Sequence, residues 1–65
     1  MDSKTAARKA KADLHQPIQH GSRTLTKDED GNYVVKRHVS GAGNIVDYRG
    51  KDFNQADAWL MKNGR

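Results

Sequence analysis

The sequence predicts an α+β domain in which a three-stranded antiparallel sheet is packed by one C-terminal helix, behind a basic N-terminal arm. Twelve of the fifteen large apolar side chains fall between Leu25 and Met61, so one small core is expected there. Apolar residues alternate with polar ones up to Arg49 and recur at helical spacing after it. Two clusters of turn-forming residues, 28–32 and 40–43, divide the alternating part into three strands.

The three strands are expected at 24–27, 33–39 and 44–49. A five-residue loop at 28–32 pairs Leu25 with Val35. A four-residue loop at 40–43 pairs Val39 with Asn44, which places Lys36 opposite Asp47.

This register sorts the side chains onto two faces, because neighbouring residues of a strand point to opposite sides of the sheet. The expected core face holds Leu25, Tyr33, Val35, Arg37, Val39, Val46 and Tyr48. The expected exposed face holds Thr24, Thr26, Val34, Lys36, His38, Ile45, Asp47 and Arg49. Arg37 is the one charged residue expected on the core face. A strand at 24–27 would also form an edge of the sheet, protected by little besides Lys27.

The C-terminal helix is expected to begin at Asn54, a residue type that caps helix N-termini well. At about 100° per residue, Ala56, Trp59 and Leu60 share one face. Trp59 is the expected anchor against the sheet, and its replacement by Ala is expected to cost on the order of 3–5 kcal/mol.

The run from Phe53 to Leu60, Phe-Asn-Gln-Ala-Asp-Ala-Trp-Leu, together with the three strands before it, resembles the arm-binding domains of tyrosine recombinases and the related plant AP2 domains. Asn54 stands where those domains often carry Thr, Asp57 stands for a Glu, and Ala58 matches. The resemblance covers residues 24–63 and implies that the exposed face of the sheet enters the DNA major groove. It also implies that Ala58 is buried, whereas the helical periodicity buries Ala56.

Residues 1–23 are the basic arm of the prediction, and residues 24–65 are the β-β-β-α domain. The arm carries five basic side chains against two acidic ones, while the rest of the chain is almost balanced. Its first part favours helix but offers only a narrow apolar stripe, so a partly helical or disordered segment is expected. Pro17 ends any helix, and the stretch from His15 to Ser22 is expected to be a linker.

Nucleic-acid binding is the first functional hypothesis, because a basic arm on a small sheet suits a polyanion and a sheet fits the major groove of duplex DNA. The arm would follow phosphates, and the exposed face would meet base edges or phosphates. Asp47 on that face would oppose binding unless it only neutralises Lys36. The expected nucleic-acid-binding residues are Arg8, Lys9, Lys11, Arg23, Lys36, His38 and Arg49.

A small regulator or inhibitor of a larger host protein is the alternative. Val34 and Ile45 would form an exposed apolar pair on the outer face of the sheet, and an edge strand could pair with a partner strand. The sequence leaves open which partner is bound and whether the chain forms oligomers.

Other classes of function find little support in the sequence. No grouped polar residues suggest a catalytic site, and no cofactor or small-molecule substrate is expected. If Gly31 is the sixth residue of a calcium loop, Thr26 and Arg37 stand at the first and twelfth positions, where acidic residues are needed. Asp13, His15 and His20 do not have zinc-site spacing. The order helix, three strands, helix also fits double-stranded RNA-binding domains, but acidic residues stand where their last helix begins with basic ones. With no Cys and no apolar run of membrane-spanning length, a cytoplasmic protein is expected.

Overall fold

The computed structural model describes residues 3–62, which form two helices and one four-stranded antiparallel sheet with strands in chain order. The α+β class and the antiparallel sheet are confirmed, whereas the predicted count of three strands and one C-terminal helix is wrong. Residues 1, 2 and 63–65 lie outside the description. The elements are α1 (Ser3–Asp13), β1 (Ile18–His20), β2 (Arg23–Lys27), β3 (Tyr33–Val39), β4 (Gly43–Gly50) and α2 (Phe53–Met61).

Strand β1 occupies part of the expected linker and pairs with β2 through a two-residue turn that joins His20 to Arg23. Gly21, the first residue of that turn, has a φ of 60°, the left-handed conformation that glycine adopts without steric cost. Because Ile18 is buried in the core, this short strand has an apolar anchor. Strand β2 therefore lies inside the sheet, and the expected edge at 24–27 is wrong; β1 and β4 are the edges.

Helix α1 is docked on the sheet, so the part of the arm from Ser3 onward is ordered. Ala12 is fully buried in the same cluster as Leu60, which places α1 and α2 on one side of the sheet. The helix ends in a Schellman arrangement: the amide of Gln16 donates to the carbonyl of Lys11, and that of His15 to Ala12. His15 itself has a φ of 60° and is hydrogen-bonded through Nδ1 to the carbonyl of Lys27.

Asp13 at the end of α1 fastens the helix to the sheet. Its carboxylate accepts hydrogen bonds from Lys9 at 2.8 Å, Lys27 at 3.2 Å and the Tyr33 hydroxyl at 2.6 Å. The bond from Lys9, and after it the bond from Tyr33, hold the pKa of Asp13 well below its ordinary value. Burial, reinforced by the bond to the Asp13 carboxylate, raises the pKa of Tyr33. Three elements thus meet at one carboxylate.

The hairpin of β3 and β4 contains a β-bulge between Val35 and Lys36, which the predicted register lacks. Leu25 pairs with Val35 and Val35 with Tyr48, as predicted. Beyond the bulge, Lys36 pairs with Val46 rather than Asp47.

The physical reason for the shift is the turn between these strands, which is one residue shorter than expected. Val39 faces Gly43, and the amide of Ala42 donates to the Val39 carbonyl. Gly41 and Gly43 both adopt positive φ, 84° and 81°, which makes this tight turn possible. The extra residue that remains on β4 is Asp47.

The core lies between the sheet and the two helices, with Leu25, Val35 and Leu60 as the largest fully buried side chains. Phe53 packs edge-on against Tyr33, with ring centroids 5.2 Å apart. Other members of the buried cluster are Ala12, Ile18 and Ala56.

Two expectations for α2 are corrected. Its N-cap is Asp52, which accepts a hydrogen bond from the amide of Asn54, so the helix begins before the predicted cap. Trp59 is only partly buried, at the margin of the core under the ammonium of Lys62, and Leu60 takes the central position. Ala56 is buried and Ala58 is exposed, in agreement with the helical periodicity.

Candidate nucleic-acid interface

The sheet face opposite the two helices, here called the outer face, displays its side chains in rows across the strands. Ile18, Leu25 and Val35 are buried on the helix side, and the residues that alternate with them along each strand form this face. The paired positions give three rows, which are Thr26–Val34–Arg49, Gln19–Thr24–Lys36–Val46 and His38–Asn44. Strands are about 4.8 Å apart and successive rows about 6.7 Å. The outer face is thus a grid of mostly polar side chains.

Lys36 and His38 occupy the centre of this grid, and both are exposed. They line a concavity of about 510 Å³ together with Gln19, Gly21, Ser22, Thr24 and Asn44. One ammonium, one imidazole, two hydroxyls and two carboxamides therefore converge on one open surface. Such a set can donate and accept hydrogen bonds but has no grouping of nucleophile, base and oxyanion donors.

Arg49 lies on the outer face as predicted, but it is engaged with the turn between β2 and β3. Its guanidinium is 3.3 Å from a carboxylate oxygen of Asp28 and 3.8 Å from one of Asp30. Asp28 also accepts hydrogen bonds from the amides of Asn32 and Asp30, and the bond from Asn32 is the first cause of its lowered pKa. Since the Arg49 side chain is 58% exposed, this surface pair is weak enough to be exchanged for another anion.

Asp47 does not face Lys36, which corrects the predicted arrangement. As the extra residue of the bulge, it directs its carboxylate to the helix side of the sheet, where it is 8% exposed. Arg23 donates to it from 2.9 Å, and Arg37 Nε lies 3.4 Å away. Arg23 also donates to the carbonyl of Lys62 at the end of α2. Arg23 therefore joins the sheet to α2. The carboxylate of Asp47, which was expected on the outer face, lies on the opposite side of the sheet.

The basic residues of the former arm are also directed away from the outer face or paired. Arg8 makes two hydrogen bonds to the carboxylate of Asp57, at 2.6 and 2.9 Å, although the two residues are 49 positions apart. Lys9 is paired with Asp13, and the hydrogen bond to that carboxylate raises the pKa of Lys9. Lys11 is exposed on α1. The structure thus brings Lys36, His38 and Arg49 together and separates them from the other four predicted residues.

The apolar pair of the alternative hypothesis does not form. Val34 is on the outer face but only 8% exposed, below Arg49 and beside Thr26. Ile45 pairs with Arg37 and so lies on the helix side of the sheet, at its margin. The same bulge brings Val46, which was expected in the core, to the outer face with 53% exposure.

Sequence reasoning missed Gln19, Asn44 and Val46 as residues of this face. Gln19 could not be assigned to a strand, because a three-residue strand is too short to show a periodic pattern. Asn44 and Val46 were assigned to the wrong side by the one-residue difference in turn length. A Gly pair at 41 and 43 is the only signal in the sequence that favours the shorter turn.

All four Phe, Tyr and Trp side chains of the chain lie on the helix side of the sheet. Tyr33 and Phe53 are buried in the core, and Tyr48 and Trp59 pack against it. The outer face therefore presents hydrogen-bonding and aliphatic groups without an aromatic surface.

Within residues 3–62, no group of three or more His, Cys, Asp or Glu side chains could hold a metal ion. Neither described helix is long and apolar enough to cross a membrane. No protein-family model, curated protein or solved structure matches the chain.

Proposed function

We propose that the protein binds duplex DNA through the outer face of its sheet. The observation that carries the proposal is the grid of exposed polar side chains centred on Lys36 and His38, which neither helix covers. Protein contacts to base edges use the same chemical groups, namely carboxamides, hydroxyls and cationic side chains. A net charge of +4 supports attraction to a polyanion.

Charge placement supports the same choice of surface. The acidic residues Asp13, Asp47 and Asp57 are each held by basic partners on the helix side. Lys36 has no acidic partner among residues 3–62, so its ammonium is available to a phosphate or to a guanine edge. Arg49 can exchange Asp28 and Asp30 for a phosphate, because the loss of these exposed ion pairs costs little free energy.

The lack of aromatic side chains on the outer face favours a duplex over single strands. Proteins that bind single-stranded RNA or DNA stack the bases on aromatic rings, and here every such ring faces the helices. The major groove of B-form DNA is about 12 Å wide and accepts a ribbon of strands about 4.8 Å apart. The deep, narrow major groove of duplex RNA does not admit such a ribbon.

A salt titration of binding to a mixed-sequence duplex, followed by fluorescence anisotropy, tests the proposal. Each neutralised phosphate contributes about −0.9 to the slope of log affinity against log salt. With Lys36 and Arg49 as the fixed charges, a slope of about −2 is expected, and the double variant Lys36→Ala/Arg49→Ala should lose nearly all of it. Lys11→Ala is the matched control on the helix side and should leave the slope unchanged. Binding that depends on Lys11 but not on Lys36 would contradict the outer face as the interface.

A second candidate function, binding to a larger protein, is favoured by one observation. Strand β4 is an eight-residue edge, and its residues Ile45 and Val46 are 37% and 53% exposed. A partner strand could add to this edge by main-chain hydrogen bonds. Ile45→Lys would weaken such addition but leave the outer face unchanged. Amide hydrogen exchange on the protein with a purified partner should then show protection of β4 in the wild type only.

A further inference from the structure

An apolar spot lies within the polar outer face, between its two cations. Val46 is 53% exposed, and it lines a second concavity of about 340 Å³ with Lys36 and Arg49 on either side. Val34, Thr26 and Asp28 line the same depression, and the Asp28 carboxylate lies 3.3 Å from the Arg49 guanidinium. Val34, on the neighbouring strand and in the next row, is the diagonal neighbour of Val46, and Thr26 lies one strand further away.

The bulge is what places Val46 there. In an unbroken ladder Val46 would lie on the same side of the sheet as Tyr48, but the extra residue Asp47 reverses its direction. Bulges commonly re-aim a side chain at a functional surface. The same shift turns Ile45 to the helix side, opposite Arg37, and Asp47 with its arginine partners lies beside it.

We propose that this spot receives the C5-methyl group of a thymine in the major groove. The inference rests on the proposed function and adds a preference for one base. Thymine presents a methyl group beside the acceptor O4, and apolar side chains contact that methyl. Val46 would supply the apolar contact, while the ammonium of Lys36, its cross-strand partner, donates to O4.

Other bases fit the spot less well. A 5-methylcytosine carries the same methyl group but presents an amino donor where thymine has O4. The Lys36 ammonium can only donate, and the Asp28 carboxylate already accepts hydrogen bonds from the amides of Asp30 and Asn32. Uracil offers O4 without the methyl group. The site therefore distinguishes thymine from uracil by one buried methyl, which is worth about fourfold in affinity, from the usual value of roughly 0.8 kcal/mol per buried carbon.

Replacement of thymine by deoxyuridine tests this inference on the intact protein. A duplex is first selected from a random pool, and each thymine is then replaced singly and binding measured by anisotropy. One position is expected to lose about fourfold in affinity for the wild-type protein. Val46→Ala is expected to bind both duplexes equally at that position. Ile45→Ala, an aliphatic neighbour on the same strand that lies on the helix side, is the control and should keep the fourfold difference.

The outcomes separate this inference from the proposed function. Duplex binding with no sensitivity to deoxyuridine at any position overturns the thymine site but leaves the outer face as the interface. A sensitivity that persists in Val46→Ala overturns the assignment to Val46. Failure to bind duplex DNA at all overturns the proposed function and the inference with it. A thermal melt of Val46→Ala shows that the variant is folded, which its exposed position predicts.

Discussion

The two faces of the sheet are made from the same four strands but carry opposite chemistry. On the helix side, aromatic rings pack in the core and charged groups form pairs such as Arg8–Asp57 and Arg23–Asp47. The outer face has a lysine, a histidine, carboxamides and hydroxyls, and its one arginine is held by the neighbouring turn. The comparison shows that three of the eight acidic residues, Asp13, Asp47 and Asp57, are paired where the helices dock, while Asp28 and Asp30 lie beside Arg49. The outer face is left with cations and hydrogen-bonding groups.

Charge totals alone would place the proposed interface on residues 1–23 rather than on the outer face. The excess of positive charge lies in residues 1–23, yet three of those charges are paired. Arg8 joins α1 to α2 through Asp57, Lys9 pairs with Asp13 within α1, and Arg23 pairs with Asp47 within the sheet. Ion pairs of this kind fix how elements dock and leave their charge unavailable to a partner. The location of a binding surface follows from which charges remain unpaired after folding.

The largest expected difference between the faces comes from placing the same acid at adjacent positions of β3. Val35→Asp buries an unpaired charge at a position with no solvent exposure, and it should abolish folding. Lys36→Asp lies on the exposed outer face and should change the free energy of unfolding by about 0.5 kcal/mol or less. Thermal denaturation followed by circular dichroism measures both. A folded Val35→Asp variant would mean that the faces have been assigned in reverse.

The next effect concerns the pair that joins the two helices. Arg8→Ala and Asp57→Ala are each expected to cost about 1–3 kcal/mol, because the partner is left with a partly buried charge. A double-mutant cycle in urea should give a coupling energy above about 0.5 kcal/mol. Lys11→Ala, on the same helix but exposed, is the control and should have almost no effect. Coupling near zero would show that the Arg8–Asp57 pair does not help to hold α1 against α2.

Local pairing in the sheet could be predicted from the sequence, whereas the docking of α1 could not. Leu25 and Val35 occupy buried, periodic positions, and only one register keeps both inside. Helix α1 contributes Ala12 to the core, a side chain too small to give an apolar stripe. Its other attachments, Asp13 to Tyr33 and Arg8 to Asp57, join residues 20 and 49 positions apart. Periodicity over a short window carries no information on contacts of that range.

The candidate site was predictable to the same extent. Lys36, His38 and Arg49 share the outer face as predicted. Lys36 and His38 lie on β3, whose alternation the extra residue of β4 does not change, and Arg49 lies on the side of the bulge where the predicted register holds. Positions 44–47 of β4 were reversed, since a single residue added to a strand exchanges its faces. The length of a turn containing two glycines decides this exchange, and the sequence permits either length.

The third prediction concerns pH and the attachment of α1 at Asp13. Because the pKa of Asp13 is lowered on folding, its stabilising effect is present above the ordinary carboxyl pKa of about 3.9 and is lost as the pH falls below it. The raised pKa of Tyr33 acts at the other end: its contribution is present below about pH 10 and is lost at higher pH. Melting temperatures of wild type and Asp13→Asn should therefore differ most between about pH 5 and 9.

Comparison with Asp13→Asn removes the contribution of Asp28, whose pKa is also lowered but is unaffected by the substitution. The difference between the two proteins should shrink below about pH 4 and again above about pH 10. A difference that stays constant down to pH 2 would show that the Asp13 carboxylate does not hold the helix. Binding of DNA by the outer face should remain the same in both proteins near neutral pH, where both are folded.

The smallest effect is expected at His15, the residue that ends α1 in the left-handed conformation. A side chain in that conformation costs about 1–2 kcal/mol that glycine does not incur, so His15→Gly should be more stable than His15→Ala by roughly 1 kcal/mol. Both variants lose the imidazole contact to the Lys27 carbonyl, so that contact cancels from the comparison. The order is the reverse of the one expected inside a helix, where alanine is favoured over glycine by about the same amount. Urea denaturation of the two variants measures it. Equal stabilities, or a more stable alanine variant, would mean that α1 does not end in this turn. The hydrogen bonds of the Gln16 and His15 amides would then not fix the end of the helix.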